Sequence, residues 1–472
     1  MNTTIIKNGT IVTASETYEA DILIKGETIV QIGREFPEEG ADVIDAAGRY
    51  VFPGGIDPHT HLEMPFGGTV TRDDFETGTI AAAHGGTTMV IDFCLTGKDK
   101  PLEESIQEWH DKSKDKAVVD YSFHLMIGEM NETVLNQLPG IIEEHGITSF
   151  KVFMAYKNVF QADDETLFET LLAAKDLGAL VMVHAENGDV IHYLTEKALA
   201  EGKTEPIYHA LTRPPEIEGE ATGRAAQLTA LADSQLYVVH VSCQEAVEKI
   251  ADARRKGAAV FGETCPQYLA LDQTYMEKPN FEGAKYVWSP PLRDKKNQEL
   301  LWKAIQSGDL QTIGSDQCSF DFHGQKDLGI DDFTKIPNGG PMIEDRFSII
   351  YSEGVAKGRI SLQKFVEITS ARAAQLFGLS PQKGAIAVGS DADLVIFNPG
   401  VTRTISVDTH HMAVDYNAFE GMEVQGEVET VLVRGKAVVR NKETVGKPGS
   451  GRYMKRKTFQ NLNAPTKAET LI

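Results

Sequence analysis

Between residues 53 and 380, short apolar runs alternate with stretches of helical periodicity, and no other property of the chain narrows its possible folds as much. That rhythm belongs to βα units around a parallel sheet, because parallel strands need a crossover and a helix supplies it. Eight strands are predicted, ending near His59, Phe93, Ile127, Phe153, His184, His240, Thr264 and Ser315. In the gaps, Asp163 or Asp164 can cap a helix that places Leu167, Phe168, Leu171 and Leu172 on one face. Ser242 and Glu245 have capping-box spacing ahead of Val247 and Ile250. Eight strands with intervening helices predict an α/β protein built on a (β/α)8, TIM-like barrel. Its chemistry is expected at the C-terminal ends of the strands.

The flanks read differently. Thr4-Ile5-Ile6, Thr10–Thr13, Asp21–Ile24 and Thr28–Ile32 are short strand candidates, with hairpin-grade turns at Asn8-Gly9 and Lys25-Gly26. The same texture returns in Ala392–Phe397 and Glu429–Val439. Neither group has enough strands to hide both faces, so the two ends are expected to meet in one small β-sandwich. The predicted division gives residues 1–52 and 381–448 to the sandwich, 53–380 to the barrel and 449–472 to an extended arm. Arg452, Lys455, Arg456 and Lys457 make that arm look like a solvated charge run, with a contact to a neighbouring subunit as the alternative.

A net charge of −23 disfavours a nucleic-acid partner. No apolar run approaches the ~20 residues needed to span a bilayer, and the N-terminal residues lack the pattern of an export signal. The four cysteines, Cys94, Cys243, Cys265 and Cys318, are scattered without a C-x-x-C pair, which fits reduced thiols. A cytoplasmic location is the expectation.

The polar residues at the strand ends carry the functional signal. The first strand closes on Asp57-Pro58-His59-Thr60-His61, and period-two alternation turns both imidazoles the same way. Lys151 falls in strand four, His184 and His240 end strands five and six, and Asp316 follows strand eight. Taken singly, the lysine fits a solvent-facing strand position, the histidines a hydrogen-bonded core and the aspartate a helix cap. Together they all fall on the rim where a barrel holds its chemistry. Imidazole and carboxylate donors suit Zn²⁺, with Mn²⁺ or Co²⁺ also possible. A lysine among them makes sense as a neutral amine that has taken up CO₂, giving a carbamate able to bridge two metal ions.

Gly54–Phe66, Ser149–Tyr156 and Gly314-Ser315-Asp316 together resemble the motifs of the hydantoinase and dihydropyrimidinase branch of the amidohydrolase superfamily. The match spans nearly the whole chain and is most similar to bacterial D-hydantoinases. The resemblance implies one metal on His59 and His61 with the carboxylated Lys151 and Asp316, and a second on His184 and His240 sharing the carbamate. It implies hydrolysis of the cyclic amide of 5-substituted hydantoins and dihydropyrimidines to N-carbamoyl amino acids, through a hydroxide bridging the metals. Asp316 would carry the proton to the leaving nitrogen and Tyr156 would donate to the oxyanion. Backbone groups of Ser289 and Asn338 would hold the ring, and Met64, Phe66, Phe153 and Phe160 would wall the exocyclic substituent. Those four side chains suit an ordinary core equally well. No role is derived for Cys318, nor for histidines such as His84, His124 and His323.

Dihydroorotase needs a cation for its substrate's carboxylate, commonly an arginine just after H-x-H. Here the run continues Leu62-Glu63-Met64, which disfavours that substrate. Allantoinase differs only in pocket polarity, and Met64 and Phe66 argue for an apolar substituent. A non-catalytic scaffold on the same fold, as in the collapsin-response mediator proteins, lacks the metal ligands that all six positions here retain. Relatives of this kind are usually homotetramers, else dimers, and act without membrane or nucleic-acid partners.

Overall fold

The computed structural model describes residues 3–97 and 100–459. Its centre is an eight-stranded parallel sheet whose strands follow one another in chain order. They are Gly55–Thr60, Thr87–Cys94, Asp120–Met126, Ser149–Phe153, Leu180–His184, Gln235–Val238, Ala259–Thr264 and Thr312–Ile313. Every residue of Thr87–Cys94 and Asp120–Met126 is buried, as expected for strands covered on both sides. The last strand is only two residues long, and a bridge between Thr60 and Gln317 closes the ring. There the His61 amide donates to the Gln317 carbonyl at 2.8 Å, just beside Asp316.

Asp163 caps the helix Asp164–Leu177, accepting from the Thr166 amide at 2.8 Å, and Gly178 ends it in the left-handed conformation. Its inner stripe is narrower than predicted. Leu167 and Leu171 are buried and Phe168 half-buried, but Leu172 is 42% exposed. The expected capping box at Ser242 does not form. A buried ion pair between Glu218 and Arg293 (2.7 Å) claims the Ser242 side chain and amide. The first turn of the helix Gln244–Arg255 is served instead by Asn297, whose Oδ1 accepts from the Gln244 amide at 3.0 Å.

The two ends of the chain meet. Leu394–Thr404 pairs antiparallel with both Tyr50–Pro53 and Glu423–Val433 in a seven-stranded sheet. A four-stranded sheet lies against it, and Ile6, Ile22 and Ile24 of that sheet share one core with Val51, Leu394, Ile396 and Leu432. Gly26 turns the hairpin between Asp21–Lys25 and Thr28–Gly33 as predicted. Asn8-Gly9 does not make a hairpin. Thr3–Lys7 pairs in the four-stranded sheet and Thr10–Val12 in the other, so these two residues carry the chain from one sheet to its neighbour.

The C-terminal arm is extended, but it is not a solvated charge run along its described length. Tyr453 bridges to Tyr121, and Met454, Arg456 and Phe459 are buried. The Arg456 guanidinium donates to the Ser122 and Ser149 hydroxyls at 3.0 and 2.9 Å. Only Arg452, Lys455 and Lys457 of the four cations reach solvent. The remainder of the arm, residues 460–472, lies outside the described residues. Sandwich and barrel are joined by the buried Lys383, whose ammonium lies 2.7 Å from Asp120, 2.6 Å from Asp393 and 3.1 Å from Asp391. No helix among the described residues is long and apolar enough to cross a membrane.

Candidate metal centre

All thirteen residues singled out from the sequence line one cavity at the C-terminal rim of the barrel. His59 and His61 share a face of the first strand, while Thr60 between them turns away to donate to Asp92 at 2.8 Å. Both Nε2 atoms approach the same Asp316 oxygen, at 3.1 and 3.3 Å. Across the cavity His184 Nδ1 and His240 Nε2 face each other at 2.9 Å. The two groups are contiguous, since the rings of His59 and His240 stack with centroids 5.3 Å apart. Lys151 reaches in between Phe93 and Phe153, its Nζ 4.8 and 5.0 Å from their ring centres.

Of the candidate ligand nitrogens, Lys151 Nζ, His61 Nδ1 and His240 Nδ1 are buried with no hydrogen-bond partner among the described residues. Burial draws the lysine down to about 7, with Asp316 and Glu263 pulling only partly the other way. An amine so placed is substantially neutral at physiological pH and nucleophilic towards CO₂. Burial also holds His61 down to about 4 and His240 well below its ordinary value, so both present uncharged imidazoles. Burial works against ionisation of Asp316, yet the neighbouring His59, His61 and Lys151 carry it down to about 2. Neutral imidazoles, an ionised carboxylate and an unpartnered amine, converging in one buried pocket, fit divalent cations held by nitrogen and oxygen donors. They make a poor apolar core.

Two carboxylates escaped sequence reasoning. Glu263 Oε1 contacts His59 Nδ1 at 2.6 Å and accepts from the His240 amide at 3.1 Å, while Oε2 accepts from the Tyr237 hydroxyl at 2.8 Å. Glu186 Oε2 contacts His184 Nε2 at 2.8 Å. Such partners fix the tautomer and direction of a ligating imidazole. Glu186 had a local signal, two residues beyond His184. Glu263 had a fainter one, as the sole charged residue of Ala259–Thr264. The strand ends are packed so tightly that a Cβ on Gly314 would lie 2.6 Å from Glu263 Oε2 and 2.9 Å from His59 Cβ. Tyr156, His240 and Asp316 all have positive φ, at 66°, 39° and 55°. Backbone of that kind is uncommon outside glycine and collects at functional sites.

Tyr156 faces the same cavity. Burial pushes its phenol up, and the nearby Ser289 and Asn338 side chains pull partly the other way, so at neutral pH it is a proton donor. Asn338 Nδ2 donates to Ser289 Oγ at 3.1 Å, which joins the two segments expected to hold a ring. Phe66, Phe153 and Phe160 form an aromatic wall, with Phe160 centroids 6.0 and 5.5 Å from the other two. Met64 packs beside Cys318 and Phe320. The site opens outward into a cleft of about 600 Å³ shared by Phe66, Tyr156, Ser289 and Asn338. Among the other histidines, His124 is bound to the Pro58 carbonyl and Ser149, and His84 stacks on His411. His209, unremarked in the sequence, donates from Nε2 to the Trp288 carbonyl at 2.9 Å, with Ser289 Oγ 3.2 Å from the same nitrogen.

A parallel barrel carrying this donor set at the carboxyl ends of its strands defines a hydrolase of the metal-dependent barrel class. The chain belongs to the Amidohydrolase family, which matches residues 50–438. It is 71% identical over 462 residues to a D-hydantoinase of Geobacillus stearothermophilus, covering 98% of each chain. It is 47% identical to a D-hydantoinase of Rhizobium radiobacter, over 97% of this chain and 99% of the other. The crystal structure of a dihydropyrimidinase from Brevibacillus agri superposes with a TM-score of 0.96 at 66% identity, over 97% of this chain and 99% of that one.

Proposed function

We propose that this protein hydrolyses the cyclic amide bond of 5-substituted hydantoins and dihydropyrimidines, releasing N-carbamoyl amino acids. The observation that carries the reading is the buried, unpartnered Lys151 amine set among four imidazoles and Asp316. His59, His61 and Asp316 would hold one divalent ion and His184 and His240 a second, with zinc the first choice and manganese or cobalt the alternatives. Lys151 would join them as N6-carboxylysine. Its nitrogen attacks the carbon of CO₂, one proton leaves, and the side chain becomes an anion with two oxygens. When bound, the ions supply an acidified water and a polarised substrate carbonyl.

The remaining work falls to the chain. Asp316, ionised at neutral pH, accepts the proton of the attacking water and delivers it to the leaving ring nitrogen. The Tyr156 hydroxyl donates to the oxygen of the former carbonyl as charge develops there. Backbone groups at Ser289 and Asn338 hold the ring amides, and Glu263 and Glu186 keep the imidazoles aimed. Phe66, Phe153, Phe160 and Met64 enclose an apolar substituent and exclude water.

On this reading residues 1–52 and 381–448 form the supporting sandwich, 53–380 the catalytic barrel and 449–472 the arm. The protein works in the cytoplasm as a homo-oligomer, a tetramer or else a dimer, on small cyclic amides. Neither nucleic acid nor membrane is a partner. One assay tests this: metal-replete protein with 5-substituted hydantoins, dihydrouracil, allantoin and dihydroorotate, alongside metal analysis. Near two equivalents of metal and a preference for apolar 5-substituted hydantoins are expected. A preference for allantoin or dihydroorotate would move the site to another substrate, and metal-free, inactive protein would make it a scaffold.

A further inference from the structure

Lys326 opens the short helical turn Lys326–Gly329, and its side chain is completely buried. Among the described residues no carboxylate lies within ion-pairing distance of it. Its Nζ donates instead to two backbone carbonyls, those of Val287 and Pro337, each at 3.0 Å. These carbonyls stand immediately before the two segments that meet at the cavity, Trp288-Ser289 and Asn338-Gly339. The Val287 carbonyl also accepts from the Gly339 amide at 3.1 Å, so one oxygen collects a donor from each side. Gly339 in turn is wedged, at φ 147°, against residue 318, where an added Cβ would lie 2.1 Å from the Cys318 carbonyl oxygen. Cys318 follows Asp316 by two residues. A single buried amine thus ties the two ring-facing segments to each other, next to the strand end that carries Asp316.

An amine is a costly choice for mere packing. Burying it without a counter-ion depresses its affinity for protons to about 7, and an apolar side chain of equal length would fill the space without that penalty. What an apolar residue lacks is a pair of directed donors that fix the separation of two carbonyls.

We propose that Lys326 is a positioning residue that sets the gap between the backbone at Ser289 and at Asn338, and thereby the ring size the site accepts. The proposal rests on the reading of those two segments as the grip on the cyclic amide. A five-membered hydantoin ring and a six-membered dihydrouracil ring present their amide groups at different spans. Release of the clamp alters the fit of one more than the other.

The test compares wild type with Lys326→Met on hydantoin and dihydrouracil, with metal content and thermal unfolding measured on the same preparations. The variant is expected to keep its metal and lose about tenfold or more in kcat/KM on the preferred ring, mostly through KM. The ratio of kcat/KM between the two rings should shift by about fivefold or more. A purely structural lysine would lower both substrates in proportion, and that result, or no change, overturns the proposal. Should Lys326→Met not fold, Lys326→Gln retains a donor group on a shorter side chain and is read the same way; failure of both to fold makes the lysine a folding element and ends the argument. Wild type that hydrolyses neither ring overturns the functional reading first, and the clamp with it.

Discussion

Replacing Glu263 with glutamine removes one charge from beneath the candidate metal centre while leaving its shape nearly unchanged. The carboxylate touches both histidine pairs, contacting the His59 ring at 2.6 Å and accepting from the His240 amide at 3.1 Å. A hydrogen bond to a charged acceptor contributes about 1.5–3 kcal/mol and a neutral one about 1 kcal/mol, so the His59 contact should weaken by about 0.5–2 kcal/mol. At about 1.4 kcal/mol per decade, metal affinity falls about 2- to 30-fold, overlapping the lower part of the roughly 10- to 100-fold range usual for such outer partners. The Tyr237 hydroxyl, 2.8 Å from Oε2, can accept from the new amide, so little fold stability should be lost. Competition with a chelator of known affinity reads the metal constant, and thermal unfolding of the metal-free protein reads the fold. Unchanged metal affinity with a lowered melting temperature would show that Glu263 braces the strands and does not tune the imidazoles.

Three further outcomes are expected. Lys151→Ala should lose bound metal and activity together, with partial rescue by small carboxylic acids; full metal and full turnover would remove the bridging role. Lys383→Met leaves Asp120, Asp391 and Asp393 without their shared cation and should cost about 3–5 kcal/mol in urea unfolding; a loss below about 1 kcal/mol would mean that Arg434 alone suffices at Asp120. Lys326 has a depressed folded-state value near 7 against 10.5, so the unfolded chain binds more protons between those limits. Its contribution to stability must then rise with pH across that window, by about 1.4 kcal/mol per unit at most. The stability of wild type relative to Lys326→Met should climb from pH 7 towards 10, and a flat difference would refute the assignment.

The barrel was legible because its strands are buried on both faces and its polar residues fall at their ends. Both signals are local, and the residues they pick out line one cavity. Apart from Glu186, what escaped was decided at long range. Asn8-Gly9 has the chemistry of a hairpin turn, but which sheet each flanking strand joins depends on partners near residues 22, 42 and 50. Ser242 and Glu245 have the spacing of a capping box, yet the Glu218–Arg293 pair outcompetes it from another helix and loop. Arg456 sits in a run of cations and still turns inward, because the Ser122 and Ser149 hydroxyls and the Phe123 carbonyl accept from it there. Glu263 becomes a candidate only once its strand is set beside His59 and His240.

The ring of strands is sealed by contacts between residue 317 and residues 59–61, at the level of the donor atoms themselves. Closing the barrel and completing the donor set are therefore one event. A nascent chain carries His59, His61, Lys151, His184 and His240 long before Asp316 is synthesised. Until that aspartate arrives, the earlier groups have neither their last anion nor the geometry that sets their spacing. On the proposed reading, metal capture would wait until the two edges of the sheet have met, and a bound ion would report that they have.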